Sequence, residues 1–97
     1  MDRRRHIEEK LRDQLDAAHV DVVDESHLHA GHEGAKSGGG HFHAIVVAAA
    51  FDGLSRVAAQ RLVYQALSEE MGGEIHALRL TLHTPEKWAA ERADSDA

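Results

Sequence analysis

The sequence predicts a two-layer α+β domain in which a three-stranded mixed sheet carries helices on one face, in the order α-β-β-α-β-α. Three observations lead there. Apolar residues recur at helical spacing near the N-terminus and again after Ser55. Two short runs rich in valine and isoleucine flank a glycine-rich stretch, as two paired strands joined by a loop would. With 97 residues the chain is one domain, able to bury roughly 60–65% of its unfolded surface around a single core.

Taken in order, Ile7, Leu11 and Leu15 stand every fourth position among charged neighbours over residues 3–16, which makes an amphipathic first helix. Residues 20–26 are short and valine-rich and read as a strand. Residues 27–40 hold five of the eight glycines without apolar periodicity, the composition of a flexible loop. Residues 41–49 are apolar enough for a central strand, and a loop between consecutive strands implies an antiparallel pair. Asp52-Gly53 is a turn signal and Ser55 is suited to cap a helix over residues 56–71. That helix carries Val57, Ala58, Leu62, Ala66 and Leu67 at helical spacing and stops at Gly72-Gly73. Residues 74–83 form a third strand with Leu78, Leu80 and Leu82 on one face, and His76 shares their parity. Pro85 opens a last short helix that ends near Arg92. The domain is therefore expected over residues 1–92, with a disordered tail at 93–97.

Composition narrows the chemistry. There is no cysteine, so the chain has no disulfide, no thiolate nucleophile and no thiolate for an iron–sulfur cluster. The net charge of −6 with histidine neutral works against phosphate and so against generic nucleic-acid binding. No apolar run approaches the ~18–20 residues that span a bilayer. Residues 1–5 are basic but run into Glu8 and Glu9 without an apolar stretch, which is not a secretory or transit signal; the expectation is cytoplasmic. Ser26 and His27 are adjacent and would point to opposite faces of a strand, so they make no nucleophile–base pair. Neither a P-loop nor a dinucleotide fingerprint is present, and no enzymatic activity is expected. What needs explaining is the nine histidines, since imidazole is the commonest metal ligand and titrates near neutral pH.

Several segments together resemble the BolA family. Glu25-Ser26, a loop bearing histidine and glycine, and then His41-Phe42 resemble its first half; Phe51-Asp52-Gly53-Leu54-Ser55 and Arg61-Leu62-Val63-Tyr64-Gln65-Ala66-Leu67 resemble its middle. Ile75-His76-Ala77-Leu78 and Thr84-Pro85-Glu86-Lys87-Trp88 resemble its end, so the likeness runs from about residue 5 to residue 90. These pieces, in order and at the right spacing, are specific where each alone is weak.

The resemblance implies a fold similar to class II KH domains, no catalytic activity, and a monothiol glutaredoxin as partner, with a glutathione-bound 2Fe–2S cluster shared between the two proteins. It also implies a role in iron–sulfur trafficking or iron homeostasis and no cofactor in the isolated chain, which would be a monomer or weak homodimer. The family's histidine at the start of the last strand corresponds to His76, and its loop ligand most nearly to His29, with His32 and then His27 as substitutes. The alternative that the family offers is a DNA-binding transcriptional regulator of stress response and cell morphology. For that role the candidates are Arg56, Arg61 and Arg79, whose ordinary reading is a solvated face. Gly31-His32-Glu33-Gly34 spells the GXXG of KH domains, but it lies in the strand–strand loop rather than between helices, and Glu33 would oppose phosphate.

The residues themselves leave alternatives open. On the residues alone His76 reads as a histidine bonded to neighbouring backbone, and His29 reads either as a solvated loop residue or as a ligand. His27-x-His29 and His41-x-His43 could each place two rings on one side of a strand, but a closed zinc site usually adds cysteine or carboxylate. His41 is expected to support the sheet near the loop, Trp88 to clamp the last helix to the sheet, and His6, His19 and His83 to be ordinary surface residues.

Overall fold

Residues 3–26, 40–73 and 75–96 are described by a computed structural model, with side chains as far as residue 92 in the last helix. Helix α1 (Arg3–Leu15) buries Ile7, Leu11 and Leu15, the three residues that its fourfold spacing places on one stripe. It ends where Asp16 turns to φ 48, a left-handed conformation that aspartate tolerates better than most residues. Strand β1 (His19–Asp24) then pairs antiparallel with β2 (Gly40–Val47), in register from His19 opposite Val47 to Asp24 opposite Phe42. Strand β3 (Ile75–His83) pairs parallel with β2, giving the order β1-β2-β3 and the mixed sheet that the sequence predicts.

Beyond β2 the chain makes a short 3₁₀ turn at Ala49–Phe51, so the strand predicted as far as Ala49 gives way to this turn. Gly53 follows with φ 75. Helix α2 (Arg56–Ala66) begins at Ser55, whose hydroxyl accepts the Ala58 N–H at 3.1 Å, the expected cap. The last helix, α3 (Pro85–Asp96), opens with Thr84 Oγ1 accepting the Lys87 N–H at 3.2 Å. It remains helical past Arg92, so the predicted disordered tail at 93–97 is helix as far as Asp96.

The core lies between the sheet and the pair α1 and α2. Val20 and Val22 of β1, Phe42, Ala44 and Val46 of β2, and the partly buried Leu78, Leu80 and Leu82 of β3 turn the same way, against Ile7, Leu11, Ala59 and Val63. Each fully buried aliphatic or phenyl side chain here contributes about 1.5–3 kcal/mol of burial free energy.

Two sequence expectations fail for reasons visible in this packing. Helix α2 stops at Ala66 rather than at the expected Met71, because residues 67–73 form turns that bury Leu67 in the core and bring Glu70 against α1. The Glu70 carboxylate is 6% exposed; it accepts from Lys10 Nζ at 2.9 and 3.0 Å and lies 3.0 Å from His6 Nε2. Burial alone would raise the Glu70 carboxyl, yet the hydrogen bonds from Lys10 and His6 outweigh it and hold the group below its ordinary value. His6 is therefore part of a helix-to-turn tie rather than an ordinary surface residue.

The same correction applies at the far end of the sheet. Trp88 of α3 stacks on His19 with ring centroids 5.2 Å apart and tilts toward His83 at 5.4 Å, while Arg92 lies 5.7 Å from its ring. His19 and His83 both flank Val47 across the sheet and alternate with the core-facing Val20 and Leu82. They seat the tryptophan, which clamps α3 as expected.

Candidate metal-ligand site at the start of the third strand

Strand parity alone would put His76 on the core face with the three leucines, and the structure overturns that expectation. Ile75 is fully buried and Leu78 also packs on the core, although an uninterrupted strand would send them to opposite faces. The pairing explains it: Gly40 opposes Ile75 but His41 opposes Ala77, so His76 is the extra residue of a β-bulge. The bulge lets Ile75 enter the core and turns His76 outward, exposed to solvent. Its ring lies 5.2 Å, centroid to centroid, from that of His41, tilted by 49°.

His41 comes from β2, whose Phe42, Ala44 and Val46 fill the core, so by alternation it faces the opposite side, with Nε2 withdrawn from solvent. Its main chain is fixed twice. The His41 N–H donates to Ser26 Oγ at 3.0 Å and its carbonyl accepts the Glu25 N–H at 2.7 Å, while the Ser26 N–H donates to Asp24 Oδ1 at 2.9 Å. Gly40 permits this closeness: a Cβ there would stand 2.5 and 2.8 Å from two ring carbons of Phe42 and 3.2 Å from Ser26 Oγ. The stem from which residues 27–39 leave β1 and rejoin β2 is thus pinned beside the His41–His76 pair.

Other candidates fall elsewhere. His29, His32 and His27 lie outside the described residues. His43 is hydrogen-bonded through Nε2 to Thr81 Oγ1 at 2.8 Å. Of the three arginines, Arg56 and Arg61 are exposed on α2, five residues apart and so roughly 140° around the helix. Arg79 is on the other side of the sheet, opposite His43, with Nη2 2.7 Å from Glu25 Oε2. The structure does not gather the three into one basic surface. It does bring His41 to His76, a pairing that sequence reasoning missed because only the bulge creates it.

Chemically, two neutral imidazoles side by side suit iron or zinc but provide at most half of a four-coordinate set. Among the described residues no group of three or more His, Cys, Asp or Glu side chains could hold a metal ion. Any site here needs further ligands. No helix among these residues is long and apolar enough to cross a membrane.

Comparison with known proteins agrees with this architecture. The family model for BolA-like protein matches residues 11–87. The DNA-binding transcriptional regulator BolA of Haemophilus influenzae is 38% identical over 85 residues, covering 88% of this chain and 80% of that protein. Human BolA-like protein 1 is 39% identical over 82 residues, covering 84% of this chain and 58% of its own length. Among solved structures, the BolA domain of SufE1 from Arabidopsis thaliana superposes with a TM-score of 0.77 at 37% identity, covering 90% of this chain and 96% of that one. Relatives are thus named both as BolA-like proteins and as DNA-binding regulators.

Proposed function

The chain belongs to the BolA-like protein family, and from that premise we propose that it is a cytoplasmic, non-enzymatic adaptor that docks on a monothiol glutaredoxin and gives histidine ligands to a shared 2Fe–2S cluster. The family is not, in general, one of enzymes. The observation that carries the reading is the exposed His76 ring beside His41, at the sheet end where the histidine-bearing segment begins and ends.

Ligand arithmetic supports it. A 2Fe–2S cluster takes four ligands and this chain has no thiol, so sulfur ligands must come from the partner and its glutathione. Imidazole on one iron, as in Rieske-type centres, is what this chain can add. His76 is the ligand on the sheet. His29 is the proposed ligand on the loop: it lies three residues beyond Ser26, a reach of at most roughly 10 Å, and His27 and His32 are its substitutes. In this reading the bulge presents the first imidazole and the pinned stem aims the second.

Mixing the protein with a cluster-loaded monothiol glutaredoxin and recording visible circular dichroism tests this. A new spectrum, saturating at one chain per cluster and lost in His76→Ala, is the expected result; an unchanged spectrum rejects it. A second reading, contact with DNA through α2 and its preceding turn, is favoured by the name of the Haemophilus relative and by exposed Arg56 and Arg61. It requires an affinity that falls steeply with salt and on Arg56→Ala or Arg61→Ala.

A further inference from the structure

At the opposite end of β3 a groove of about 420 Å³ runs between the first turn of α2 and the first turn of α3. Residues 80, 81, 82 and 83 all line it. Consecutive side chains of a strand point to opposite faces, so four in a row border one groove only if it follows the strand's edge. β3 is an outer strand. Among the described residues, the main chain of 77–82 makes no hydrogen bond outside its pairing with β2. Alternate residues of a parallel strand turn both N–H and C=O away from the paired neighbour, so this edge offers donors and acceptors together.

The walls carry a consistent charge. Arg56 stands on the α2 side and Lys87 on the α3 side, and among the described residues neither is in an ion pair. Among the described residues no Asp or Glu lines the groove, although the chain carries a net charge of −6. The N-terminal turns of both helices border it and add partial positive charge. Phe51, Leu54, Leu80 and Leu82 supply apolar surface between the cations.

We propose that this groove captures an extended acidic segment of a partner protein, which adds to β3 as a fourth strand and places its carboxylates against Arg56 and Lys87. Strand addition uses both main-chain donors and acceptors. A phosphate backbone would satisfy only the donors and would face the edge carbonyls with like charge, so nucleic acid suits the groove less well. A second copy of this chain would bring the same cations to the same edge. The groove lies roughly 20 Å along β3 from His76, six residues at strand rise, so the segment and the cluster partner can be held at once.

The test titrates the full chain with the capped peptide Ac-Glu-Val-Glu-Val-Glu-Val-NH₂, followed by amide NMR shifts and hydrogen exchange. Expected are saturable shifts centred on residues 80–84 and at least tenfold slower exchange of the outward β3 amides. The Arg56→Glu/Lys87→Glu variant is expected to bind at least tenfold more weakly; should it not fold, Arg56→Gln/Lys87→Gln takes its place. Any one of four results overturns the proposal: no saturable shift at millimolar peptide, equal binding by a peptide N-methylated on alternate amides, tighter binding of an oligothymidylate at the same residues, or occlusion of the groove by self-association in sedimentation.

Discussion

Replacing Gly40 by alanine probes the stem of the candidate site, because the structure states what the added methyl meets. It would stand 2.5 and 2.8 Å from Cε2 and Cζ of Phe42, a ring 2% exposed and enclosed by the core, and 3.2 Å from Ser26 Oγ. Relief by moving a buried ring is overpacking, at about 1–3 kcal/mol. The φ of Gly40 is not positive, so alanine is not strained in the backbone, and it gains about 0.4–1 kcal/mol by restricting the unfolded chain. The net expectation is a loss of roughly 0–2.6 kcal/mol, centred near about 1.3, at about 4–8 °C of melting temperature for each kcal/mol. Urea denaturation of Gly40→Ala, Phe42→Leu and the double variant measures it. Leucine has no atoms at the ring positions involved, so the double variant should be more stable than the sum of the two changes by at least about 0.5 kcal/mol. Gly40→Ala more stable than the parent, or strict additivity, would refute the close-approach argument.

Acid stability should depend on Glu70. Because its folded carboxyl is held below the ordinary 4.5, its contribution is complete above that value and is lost as pH falls below it; in Glu70→Gln, denaturation curves between pH 6 and 3 should show a shallower slope. Lys10 works in the other direction: Glu70 holds its ammonium above the ordinary 10.5, so that contribution is present below 10.5 and disappears as pH rises beyond it, which alkaline denaturation of the parent against Glu70→Gln would show. Ser55→Ala removes the α2 cap and should cost about 1 kcal/mol by urea denaturation, while Ser55→Gly should cost only a few tenths.

Much of the fold was legible because local pattern and burial agree. The fourfold spacing of Ile7, Leu11 and Leu15 became a buried stripe, and Leu78, Leu80 and Leu82 share the core face. The cap at Ser55 and the mixed sheet followed from turn chemistry and from the order of elements. What could not be read depends on contacts distant in sequence. Residues 67–71 have the composition of a helix, and only the approach of Lys10 and His6 shows why the chain unwinds to present Glu70. Strand alternation misplaced His76 because a bulge adds one residue that no spacing rule displays. His19 and His83 looked solvated until Trp88 was seen on them. The family resemblance pointed to His76, which lies at the start of β3, whereas the neighbourhood of His41 came from geometry alone.

Whether imidazole nitrogen from this chain reaches the cluster iron can be measured directly. Electron–nuclear double resonance on the reduced cluster, in the complex of glutaredoxin with this chain labelled with ¹⁵N at histidine only, detects it. Strong ¹⁵N coupling in the parent protein that weakens or changes in His76→Ala is the outcome expected of a histidine-completed cluster. A spectrum free of strong nitrogen coupling, with the complex still formed, would mean that every ligand is sulfur and that His76 has another purpose.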